Sequence, residues 1–135
     1  MAGSKSDFLE LELLDHVLGN AAYTAPANVY VALYTVAPTD AGGGTEVAAA
    51  GAYARATVAN NVTNWPAAAA GLKSNGIEIA FAEATASWGT VVAFGIFDTL
   101  TVGNLLYWAT LTVNKTIDTG DTAKFAIGDL DVTED

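Results

Sequence analysis

Two apolar runs dominate the chain, Thr90–Phe97 and Asn104–Leu111, separated by Asp98-Thr99-Leu100-Thr101-Val102-Gly103. Val, Ile, Phe, Tyr and Trp fill both runs, and such side chains suit a pleated, half-buried surface. The gap holds Asp, Thr and Gly, which is turn chemistry. This pattern predicts a β-hairpin with a longer loop at the centre of the fold. Trp88, Phe94, Ile96, Phe97, Leu106 and Trp108 are its expected core residues. Ile96 and Phe97 are neighbours, so strand alternation sends them to opposite faces and leaves one free to lie between subunits.

Near the N-terminus the apolar spacing changes. Phe8, Leu11, Leu14 and Leu18 recur at helical intervals, and Leu9, Leu13 and Val17 widen the stripe. Ser6 and Asp7 are capping residue types, and Glu10 follows Asp7 by three positions as in a capping box. Gly19-Asn20 tolerates the left-handed geometry that ends helices. A helix is therefore expected over residues 7–18, after a loose segment at 1–5. Its stripe is wider than a helix lying on a small sandwich needs, so part of it is expected to meet a second surface.

Val29–Thr35 reads as a buried strand and Tyr53–Ala59 as a second one. Between them, Pro38 and Gly42-Gly43-Gly44 predict a mobile loop suited to partner contact. Residues 60–76 read as irregular. Gly76–Ala82 alternates Ile77, Ile79 and Phe81 against Glu78 and Ala80, the pattern of a half-buried antiparallel strand. Thr112–Thr116 leads into a turn at Asp118–Asp121. Thr122–Ile127 places Ala123, Phe125 and Ile127 on one side, and Leu130–Val132 is a last short strand. Many short strands after one helix, with no long helices between them, predict a mainly β chain. The expected architecture is a jelly-roll-like antiparallel β-sandwich with one N-terminal α-helix. It reads as a single domain over 1–135, with an N-terminal helical arm at 1–20 and the sandwich at 29–135.

Composition narrows the function classes. The 135 residues suffice for one core, and no apolar run is long enough to span a membrane. Acids interrupt the apolar N-terminal stretch, so a signal peptide is not expected. There is no Cys, hence no disulfide and no thiolate ligand, and the single His16 excludes a multi-His metal site. Fifteen acids against five bases give a net charge of −10, which repels a phosphate backbone, so nucleic acid is not an expected partner.

No residue set reads as a catalytic centre. His16 is expected on the surface near the helix C-terminus, where the helix dipole favours its charged form. Asp118 with Asp121, and Asp129 with Asp131, read as Asp-bearing turns, since neither fits a calcium loop. Glu78 and Glu83 lie on opposite faces by alternation and read as solvated charges, not as a glycosidase pair. Trp65, Trp88 and Trp108 read as buried anchors. Asn61-Val62-Thr63 and Asn114-Lys115-Thr116 match the glycosylation pattern only by chance. Gly42–Gly44 lacks the Lys-Ser/Thr that a phosphate cradle requires.

Several segments together carry a family likeness. They are SDFLELELLDHVLG at 6–19, VYVALYTVAPTDAGGGTEV at 29–47, AYAR at 52–55 and ATASWGTVVAFGIFD at 84–98. GNLLYWATLT at 103–112, Lys115-Thr116 and TGDTAKFAIGDLDVTED at 119–135 complete the set, leaving residues 60–75 outside it. On these segments the chain resembles small structural proteins of tailed phages, often labelled tail fibre proteins, that are similar to capsid cement (decoration) proteins. The resemblance implies a non-enzymatic virion component without cofactors, made in the host cytoplasm and placed on the outer capsid surface. There it would bridge subunits of the major capsid protein and self-associate as a dimer or trimer. The alternative it carries is a tail or tail-fibre module, structural or receptor-binding. Under either, the expected contact residues are Phe8, Leu9, Leu11, Leu13, Leu14, Val17 and Leu18 of the arm, with Gly42, Gly43 and Gly44 of the loop.

Overall fold

The hairpin expected at the centre is there: β7 (Gly89–Phe97) runs antiparallel to β8 (Leu105–Ile117). The structure is a computed structural model that describes residues 3–19 and 21–134. β8 extends well beyond its apolar run, so Thr112–Thr116 is strand and not the approach to a turn. The pairing slips midway. β7 advances from Val91 to Ala93 while β8 runs back from Lys115 to Thr110, leaving residues 111–114 bulged out of the ladder.

β2 (Asn28–Val36) lies on the other side of β7. Its free edge is shared end to end by β3 (Thr45–Glu46) and β4 (Ala56–Ala59). β4 is shorter than the strand expected at Tyr53–Ala59, because the chain enters it from a turn: Ala52 has φ +67 and Tyr53 N donates back to the Ala50 carbonyl at 3.1 Å. Residues 3–5 are not loose. They form β1 (Gly3–Lys5), which pairs with Tyr107–Ala109 and closes the opposite edge of the six-stranded sheet.

Two small ribbons complete the fold. β5 (Leu72–Ser74), within the stretch expected to be irregular, pairs with β10 (Asp131–Thr133), and β6 (Ile79–Ala80) pairs with β9 (Lys124–Phe125). Buried Asn75 ties the ribbons together: its Nδ2 donates to the carbonyls of Ile77 and Ala126, and its Oδ1 accepts from Leu130 N. The helix, α1 (Asp7–Val17), precedes the strands. The chain is thus mainly β and antiparallel with one N-terminal helix, the sandwich class that its strand spacing predicts.

The larger core lies on one face of the main sheet. Val29, Val31 and Leu33 of β2 meet Phe94 and Ile96 of β7, and the ribbons bring Ile79, Phe81 and Val132. Tyr53, Phe81 and Trp88 pack ring against ring, with centroids 5.3–6.5 Å apart. Ala32, Tyr34, Ala93, Phe97 and Leu105 form a second cluster. Ile96 and Phe97 therefore point to different clusters, as alternation demands, yet both are buried within this chain. Phe97 is covered by the Arg55 guanidinium, 3.6 Å above its ring centre, so no neighbouring subunit is needed to bury it. One expected core position differs, and so does one position expected to share a strand face with Ala123 and Phe125. Trp108 is half-buried, and Ile127 is exposed because β9 ends at Phe125.

Candidate functional site

α1 is pinned at its first turn. Ser6 is the N-cap: its Oγ accepts from Leu9 N at 3.2 Å and donates to the Leu105 carbonyl. The cap therefore lies one residue before the Asp7–Glu10 pair, and both acids sit in the first turn, where the helix dipole favours them. Asp7 N donates to the Asp40 carbonyl at 2.8 Å, so the helix start is bound to the Gly-rich loop.

That loop is a tight hairpin. Thr39 and Gly42 exchange backbone hydrogen bonds of 2.9 and 2.8 Å, and the Thr39 hydroxyl donates to the Gly42 carbonyl. Gly44 has φ +72, and a Cβ there would lie 2.6 Å from the Val36 carbonyl oxygen, so only Gly fits. Gly42 and Gly43 face open space. The Asp40 carboxylate fastens the hairpin, with Oδ1 accepting from Ser4 Oγ at 2.7 Å and Trp108 Nε1 at 2.9 Å. These two bonds favour the charged carboxylate and lower its pKa from the usual 3.8.

The expected contact residues separate into three groups. Leu9 is buried in the core, and Phe8 and Leu13 are half-buried against it. Leu11, Leu14, Val17 and Leu18 are 57–78% exposed and give α1 an aliphatic outer face. The start of α1 and Gly42–Gly44 come together around a cleft of about 550 Å³, which Arg55 and Gly103 also line. His16 is exposed, and its Nδ1 accepts from Tyr23 N at 3.0 Å.

The groups beside this cleft are structural. The Arg55 guanidinium forms a fork with Glu46, Nε to Oε1 at 2.9 Å and Nη2 to Oε2 at 2.8 Å, while Nη1 holds the carbonyls of Thr99 and Val102. Burial by itself would lower the Arg55 pKa, but the bond and charge of Glu46 outweigh it and raise it. Burial, followed by the charge of Glu46, pushes Tyr34 up to about 12. Tyr53 is raised by burial as well, its hydroxyl donating to Glu46 and accepting from Leu33 N. One signal in the sequence marks this network: Arg55 is the single Arg of a base-poor chain.

A second concavity escaped sequence reasoning because its walls come from segments far apart in the chain. It is a cavity of about 420 Å³ lined by Leu9, Leu13, Trp65, Leu72, Ile96 and Leu106 among others. Trp65 is buried, and its Nε1 has no acceptor among the described residues. The described residues contain no cluster of three or more His, Cys, Asp or Glu able to hold a metal ion, and no helix long and apolar enough to cross a membrane.

Residues 4–133 match the family described as podophage GP4 fiber I protein gp80. The chain belongs to that family. No curated protein matches it. The family is one of phage structural proteins, and membership makes this chain a virion component. The matched span includes 60–75, the stretch outside the likeness carried by the quoted segments. Those residues include the loop that brings Trp65 to the cavity wall.

Proposed function

We propose that the chain is a structural subunit of a podophage fibre, acting through protein–protein contact and not through catalysis. The observation that carries this reading is the fibre family match over residues 4–133. The aliphatic outer face of α1 supports it: four large apolar side chains stand in solvent on a pinned helix, a feature suited to docking. The net charge of −10 disfavours a phosphate-bearing partner.

A second reading is a capsid cement protein on the outer shell, bridging major capsid protein subunits as a dimer or trimer. The shape favours it, since the described residues form one small sandwich with no extended or repeated segment for a fibre shaft. Many modest contacts on a repeating shell would add up through multivalency. Antibody labelling of intact virions, with copy number from a stained gel, separates the two. Label at the tail with few copies is the expected result. Label over the whole head at near-stoichiometric occupancy overturns the fibre reading in favour of cement.

A further inference from the structure

The aliphatic face that α1 leaves in solvent is bordered by acids. Asp7, Glu10 and Asp15 are exposed, and Asp7–Leu11, Glu10–Leu14 and Leu11–Asp15 are each four residues apart, so each carboxylate neighbours an exposed leucine. Among the described residues none of the three carboxylates meets a base. A symmetric pairing of two such faces is disfavoured, because it sets the three acids of each copy against those of the other, with no Lys or Arg on either helix. A cleft of about 480 Å³ has the complementary character. Leu33, Val91, Leu111 and Phe125 line it together with Lys115 and Lys124, two of the five bases of the chain. Among the described residues Lys115 has no partner, and Lys124 reaches only Glu78, at 3.7 Å with both side chains more than half exposed. Asp121 and Asp129 share the lining, but the Asp121 carboxylate is turned to Asp118 N at 2.9 Å. The cleft is therefore neutral, with two available ammonium groups, on a chain whose net charge is −10.

We propose that the aliphatic face of α1 in one copy docks into this cleft of a second copy, with its bordering carboxylates facing Lys115 and Lys124. Both surfaces belong to the same chain and match in the two respects that matter, apolar against apolar and acid against base. They stand at opposite ends of β8. The start of α1 is bonded to Leu105 and Leu106, whereas the cleft takes in Lys115, Thr116 and Ile117. A copy with α1 pinned in this way does not fill its own cleft, and the contact repeats in one direction from copy to copy. Head-to-tail contacts of this kind close into rings or run on as helical filaments. Four apolar side chains make a small patch beside the about 20–30 residues a side of a standard interface, so a single contact is weak and gains strength through repetition. The inference rests on the reading of α1 as a docking face and deepens it by naming the partner.

The test is analytical sedimentation of the full chain over a concentration series reaching about 1 mM, where weak contacts become populated. The expected result is a mass that climbs past the dimer, since a head-to-tail contact leaves one free surface of each kind. Leu14→Ser with Leu18→Ser removes one surface, and Lys115→Glu with Lys124→Glu reverses the other. All four residues are exposed, so both variants should keep the circular dichroism of the parent. Leu18→Asp, at the end of the helix, takes the place of the leucine variant if that one unfolds. Each variant alone should remain monomeric. The lysine variant loses two ion pairs, each about 2–5-fold in affinity, and sets like charges together. Mixed, the two variants should form a one-to-one dimer and nothing larger, because each supplies the surface that the other lacks. A parent that stays monomeric throughout overturns the proposal, as does a parent that stops at a dimer, or a mixture no heavier than its components. If the parent is monomeric and the leucine variant still fails to enter virions, α1 docks on a different virion protein. That outcome removes the second copy as partner while leaving the docking reading in place.

Discussion

The indole of Trp108 donates to the carboxylate of Asp40 at 2.9 Å, joining residues 68 apart in sequence. The same carboxylate oxygen takes the Ser4 hydroxyl, and the Asp40 carbonyl takes Asp7 N. One Asp thereby binds the Gly-rich hairpin to β1, to β8 and to the first turn of α1.

Asp40→Ala should cost about 1–2 kcal/mol, the scale of hydrogen bonds to a charged acceptor that is partly solvated. The loss should depend on pH. The folded pKa lies below the ordinary 3.8, so the carboxylate stabilises the fold above that value, and the contribution disappears as pH falls through the folded pKa. Urea unfolding of the variant and the parent at neutral and acid pH checks this. The gap between them should be full at neutral pH and should close in acid.

What the sequence reveals follows the range of each interaction. The β7–β8 hairpin and α1 are written in local periodicity, and both stand where the pattern predicts. β1, β3 and β5 have two or three residues each, too short for alternation to register, and they exist because a neighbouring strand offers a free edge. The helix stripe was legible as apolar, but its division was not. Leu9 faces the core and Leu14 faces solvent because Ser6 fixes the rotation of α1 through Leu105. The cavity was illegible for the same reason, since nothing near Trp65 in the chain announces Leu13 or Ile96.

Arg55→Lys should destabilise nearly as much as Arg55→Ala, by about 2 kcal/mol or more. Lys keeps the charge but cannot fork onto Glu46, reach the Thr99 and Val102 carbonyls and cover the Phe97 ring together. Thermal melts of both variants decide it. A Lys variant that melts with the parent would show that charge alone is needed.

Alkali should unfold the protein through its tyrosines. Burial, aided by the charge of Glu134, pushes Tyr107 up to about 12, and Tyr34 is raised to about 12 as well. A folded pKa above the unfolded value of 10.0 means the stabilisation is complete below pH 10 and is lost as pH rises through about 12. Ultraviolet difference titration should show part of the tyrosinate signal delayed into that interval and coincident with loss of the β circular-dichroism signal. Replacing Tyr107 with Phe should shrink the delayed fraction.

The two sides of α1 should separate stability from assembly. Leu9 is buried in the large core, so Leu9→Ala should cost about 2–4 kcal/mol. Leu11, Leu14, Val17 and Leu18 are exposed, so changing all four to Ser should shift stability by only about 1 kcal/mol, small surface effects summed over four sites. The same quadruple variant should nevertheless lose incorporation into virions, because it removes the aliphatic face that we assign to docking. Deleting residues 1–20 should behave differently again. It strips β1 from the sheet edge and Leu9 from the core, so the shortened chain should melt well below the parent and should not remain an intact β-domain. Circular dichroism of the three variants beside their incorporation into phage particles tests the division. A quadruple Ser variant that is stable and still incorporates normally would remove the outer face of α1 from assembly, and a truncated chain that melts with the parent would make residues 1–20 a separable arm.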